Sequence, residues 1–87
     1  MPDLGPTYSQ LSTSEQAAVM QALSHLSRLH PDVASDVTVS STFGSVTLNV
    51  KAPVGKEMSV QNDMMGPITD IMLATGVLIM MLVVRRD

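Results

Sequence analysis

Cysteine is absent from the 87 residues, so no disulfide or thiolate metal site can support the fold, and the redox compartment is left open. Aromatics are nearly absent too. Tyr8 and Phe43 are the whole supply, which leaves almost no material for base-stacking platforms or aromatic cages. Positive charge is scarce: only Arg28, Lys51 and Lys56 precede the last three residues, and the formal net charge is −3. A phosphate backbone needs clustered Lys and Arg, so no nucleic-acid partner is expected. The leading MPDLGPTYSQ has no basic region followed by an apolar run, and no secretory signal peptide is expected. Neither Asn is followed two residues on by Ser or Thr, which removes N-glycosylation acceptors.

Catalytic signatures are missing as well. There is no nucleophile elbow, Gly-rich phosphate loop, His-Glu metal helix or EF-hand loop. The many Ser and Thr fall at caps and on alternate strand positions, which structure explains without catalysis. Asp32 and Asp36 flank a loop and lack the further oxygen ligands a cation needs. His25 and His30, five residues apart, point about 140° apart around a helix and cannot share an ion. The expectation is a protein that is not an enzyme and uses no cofactor, metal or small-molecule substrate.

What the chain does have is a capped helix, an alternating hairpin and an apolar tail. Residues 1–11, with Pro2, Gly5 and Pro6, read as an extended arm. From Ser12 to Leu29 a helix is expected, because Ser12-x-x-Glu15 and Thr13-x-x-Gln16 both fit a capping box and Pro31 stops it near His30. Val19, Leu23 and Leu26 centre its apolar face, flanked by Met20, Ala22 and Leu29.

Asp36 to Lys51 reads as a hairpin. A two-residue turn at Gly44-Ser45 pairs Phe43 with Val46, Ser41 with Leu48 and Val39 with Val50. One face then carries Val37, Val39, Phe43, Val46, Leu48 and Val50, which with Val19, Leu23 and Leu26 form the core of a head over 12–51. The opposite face is Thr, Ser and Asn. Both hairpin edges stay unpaired, and roughly 50 residues make a thin core, so support from other subunits or a membrane is expected.

Residues 52–66 form a connector, and Pro67 suits the start of a new helix. Residues 71–84 contain no ionisable group. Ile68, Ile71, Met72, Leu73, Val77, Leu78, Ile79, Met80, Met81, Leu82, Val83 and Val84 then form a short C-terminal transmembrane helix over 67–87. Asp70, Arg85 and Arg86 anchor it at the interfaces, and the positive-inside tendency puts both arginines on the cytoplasmic or interior side. The order of acidic front, apolar middle and basic end resembles that of filamentous-phage major coat proteins in charge order alone; the hairpin departs from an all-helical coat.

The fold expected is therefore α+β: an amphipathic helix and β-hairpin head followed by a membrane-spanning helix. Its expected function is that of a structural or assembly subunit of a membrane-bound complex or membrane-containing virion, with protein subunits and the lipid bilayer as partners. The alternative ends a short helix at Gly76 and runs Val77 to Val84 as a strand buried on both faces. That alternative gives a soluble α-β-β-α-β binding module that oligomerises through its sheet edge. A third reading, a small transporter or pore subunit, would use Asp70.

Overall fold

The computed structural model describes residues 5–42 and 44–86, apart from the side chain of Thr42. The expectations for Phe43 and for the outermost residues lie outside that set. The elements run α1 (Pro6–Ser9), α2 (Thr13–Leu29), α3 (Pro31–Ala34), β1 (Val37–Thr42), β2 (Ser45–Ala52), α4 (Glu57–Thr75) and β3 (Leu78–Arg85). The described strands form one sheet in the order β1-β2-β3, with β1 antiparallel and β3 parallel to the central β2.

The arm is not extended throughout: Pro6 opens a single helical turn, and Leu11 behind it is buried. Ser12 is the N-cap of α2. Its hydroxyl accepts from the Glu15 amide at 3.2 Å, while the Ser12 amide donates to the Glu15 carboxylate at 2.9 Å. The buried side of α2 is Ala18, Val19, Ala22, Leu23 and Leu26, whereas Leu29 is exposed. Facing it, Val37, Val39, Val46, Leu48, Val50 and Ala52 alternate inward from the hairpin.

The hairpin register differs from the expected one. Thr42 pairs with Ser45, Ser41 with Val46, Val39 with Leu48 and Val37 with Val50. Ser45 is thus in the strand, and the turn falls one residue earlier. Gly44, at φ 82°, supplies the left-handed conformation in either placement. Moving the turn by one residue moves the partner by two, so each side chain keeps its face.

The tail overturns the membrane expectation. No helix among the described residues is long and apolar enough to cross a membrane, and the last element is a strand. Pro67 does not begin a helix but lies inside α4, so Asp70 is an exposed residue of the helix interior and not an interface anchor in a first turn. Ile68 and Ile71 pack on the sheet with Val60 and Met64. Four such side chains contribute about 1.5–3 kcal/mol each, more than the roughly 3 kcal/mol that an interior proline costs. Gly66 eases the step, because the residue before a proline clashes through its Cβ in helical conformation. Gly76 then ends α4 in the left-handed region at φ 73°, its amide donating to Met72 O at 2.9 Å.

The single C-terminal span, the membrane location and the placement of Arg85 and Arg86 on an interior side fall together. So does the strand of the alternative reading as a doubly buried one, since β3 lies at the sheet edge with one face open.

Candidate functional site

Parallel pairing aligns two rows of side chains across β2 and β3. On the helix side, Val46, Leu48 and Val50 stand beside Ile79, Met81 and Val83, inside or against the core. On the opposite side, Ser45, Thr47, Asn49 and Lys51 stand beside Leu78, Met80, Leu82 and Val84. No helix covers this second row in the described structure: Leu78 is 61% exposed, Met80 62%, Leu82 54% and Val84 39%. The open face thus grades from Thr38 and Ser40 on β1, through Thr47 and Asn49, to four large apolar side chains on the outermost strand. Asn49 Nδ2 donates to Ser40 Oγ at 3.2 Å, which ties the polar part together.

The outer backbone edge of β3 is equally bare. The Arg86 amide donates to Ala52 O at 2.7 Å, so by alternation the even-numbered residues face β2 and Ile79, Met81 and Val83 turn their amides and carbonyls outward. One side chain reaches this edge among the described residues: the Gln61 amide meets Met81 O at 3.4 Å. At the other margin, α1 packs on β1 and the strand is Thr and Ser rich. Natural sheets protect edges with charge, proline, bulges or covering segments. The β3 margin has none of these until Arg85.

Helix α4 adds a third surface. Met58, Met65 and Met72 follow at seven-residue intervals on the flank that also carries Gln61, the side next to β3. Met58 is 72% exposed and Met65 60%. The connector expectation allows a short helix with Val60, Met64 and Met65 but does not use the seven-residue spacing of Met58, Met65 and Met72.

Several titratable groups elsewhere tie the elements together. His30 Nε2 donates to Asp63 Oδ2 at 2.7 Å, joining the α2–α3 corner to α4. His25 Nδ1 accepts from Arg28 at 2.7 Å. Lys56 Nζ stands 3.2 Å from Asp32 Oδ2, and its hydrogen bond holds the Asp32 carboxyl below the usual carboxylate range. No group of three or more possible metal ligands occurs among the described residues. Arg86, expected at a membrane interface, instead bonds Asp36, Lys51 O and Asp32 O.

A shallow groove of about 560 Å³ runs between α2 and α3 beside Met20, Leu23, Pro31 and Ala34. Its polar lining is serine alone, without a charged group to orient a ligand. The β3 margin is therefore the better candidate site. No protein-family model, curated protein or solved structure matches the chain.

Proposed function

We propose that this domain is a polypeptide-docking module that uses its sheet edge, adding a partner strand to the outer side of β3. The observation that carries the reading is the coincidence, on one strand, of outward-facing backbone groups at Ile79, Met81 and Val83 with the exposed row Leu78, Met80, Leu82 and Val84. Strand addition draws affinity from main-chain hydrogen bonds and selectivity from alternate side chains, and β3 offers both. The row alone exposes on the order of 400 Å² of apolar surface, the size of patch that on a lone domain is often functional. A strand added at the edge covers the row only along its outer side, so apolar burial is a fraction of that area. Association itself costs about 4–15 kcal/mol, so the edge hydrogen bonds decide whether the complex is tight.

Hydrogen exchange on the protein, free and bound to whatever polypeptide co-purifies in mild buffer, tests the reading. The amides of Ile79, Met81 and Val83 should exchange freely in the isolated domain and become protected in the complex. Protection confined to the α2–α3 groove, with those three amides still exchanging, would move the docking site off the sheet.

A further inference from the structure

We infer that the partner fitting the β3 margin is a second copy of this chain, joined across a two-fold axis that passes between Met81 and its mate and between Met65 and its mate. The inference rests on the reading of β3 as a docking edge and names its occupant.

Two identical strands paired antiparallel are related by a two-fold axis between like residues. The outward-facing residues of β3 are the odd-numbered ones, so an axis on one of them makes the central pair a hydrogen-bonded one, and Met81 is the odd residue nearest the middle of Leu78–Arg85. Centred there, Ile79 opposes Val83 of the second copy, Leu78 opposes Val84, and Met80 opposes Leu82. Every pair within the ladder is apolar. Arg85 comes opposite Val77, so the two basic ends lie at opposite ends of the joint and do not repel. A same-direction pairing would stack them side by side.

Helix α4 has the same symmetry independently. Met58 and Met72 each stand seven residues from Met65 on the flank nearest β3, so a two-fold through Met65 opposes it to itself and opposes Met58 to Met72. The two centres lie within about one helical turn of each other. Gln61, one helical turn before Met65, reaches Met81 O, which places the middle of α4 beside the middle of β3. A single axis therefore satisfies both elements, forming a six-stranded sheet with all helices on one side. No ionisable residue occurs on this flank between Met58 and Met72, and none on β3 before Arg85. The pairing covers exposed Met58 and Met65 on the α4 flank and the outer side of the β3 row, while the open face of that row stays in solvent.

The test is the mass of the full chain in solution across a concentration series, by light scattering and sedimentation equilibrium. Wild type should reach twice the 9.3 kDa chain mass. Met65→Glu and Met65→Lys alter an exposed side chain, and circular dichroism with a urea midpoint should show each still folded. Each alone should stay at the single mass, with association weakened at least tenfold, and an equimolar mixture of the two should regain the doubled mass. In a third variant, Met65→Cys supplies the only thiol in the chain and should cross-link to its mate with a short bismaleimide. A wild type that keeps the single mass at every concentration overturns the inference; so does a doubled mass that survives both charge variants, which would place the joint elsewhere. A monomer whose Ile79, Met81 and Val83 amides are protected by a different polypeptide removes the second copy while leaving the docking-edge reading in place.

Discussion

Arg86 Nε lies 3.2 Å from Asp36 Oδ2, joining the end of the last strand to the start of the first across the central one. The same guanidinium reaches Lys51 O at 3.1 Å and Asp32 O at 3.4 Å. The ion pair is half exposed and worth at most about 1 kcal/mol. The carbonyl contacts add a similar amount, about 0.5–1.5 kcal/mol net. Arg86→Ala should therefore lower stability by about 1–2 kcal/mol in urea unfolding. Asp36→Asn should cost less, because the two carbonyls stay bonded. Equal losses would show that the carboxylate alone carries the clamp.

The Asp32–Lys56 pair sets an acid dependence. Because the folded pKa of Asp32 is lowered below its ordinary carboxylate value, chiefly by the Lys56 hydrogen bond, its contribution is fully present above the unfolded value and fades as pH falls through the folded one. Thermal melts of wild type and Lys56→Met should differ near neutral pH and converge as pH falls through the lowered folded pKa of Asp32, where its carboxyl is protonated in both proteins. A gap that persists unchanged into acid would assign it to the lysine stem rather than the charge.

The Gly66-Pro67 step gives a coupled pair of substitutions. Pro67→Ala restores an amide for Asp63 O and should stabilise α4 by about 1–3 kcal/mol. Gly66 is helical with open space around its Cβ position, yet Gly66→Ala alone should gain little, because the new methyl meets the proline ring. With Ala at 67, the same change should add about 0.5–1 kcal/mol. Urea midpoints of the four proteins read the coupling, and strictly additive effects would refute the steric account.

Leu48 and Leu78 separate core from margin. Leu48, fully buried on the central strand, should cost about 2–5 kcal/mol on truncation to Ala. Leu78→Lys, on the open face, should leave stability within about 0.5 kcal/mol of wild type. A Leu78→Lys protein that fails to fold would mean that the open row is covered in the isolated chain.

Local rules worked where the chemistry is short-range. The Ser12–Glu15 box and Pro31 bracket α2 in sequence and in space, and the hairpin's alternation survives a shifted turn because Gly44 can serve either placement. Gly66-Pro67 misled because packing of Val60, Met64, Ile68 and Ile71 outweighs a local breaker. The tail misled for another reason. A stretch that is apolar on every side normally means burial on every side, but here Ile71 belongs to a helix packed on the sheet, Ile79 to a strand, and Leu78, Met80 and Leu82 face outward. The β3 margin was hidden in the sequence because apolar residues left exposed look the same, as a string of letters, as apolar residues inside.

The apolar character of that margin rests largely on thioethers. Met58, Met65 and Met80 are open to water, whereas Met64 beneath them is fully buried. Mild peroxide should therefore convert the outer sulfurs to sulfoxides and spare Met64, turning a greasy rim polar while the interior stays intact. Adhesion would then be under oxidative control, reversible by sulfoxide reduction, and intact-mass spectra read alongside the unfolding midpoint would show the two populations of sulfur reacting separately.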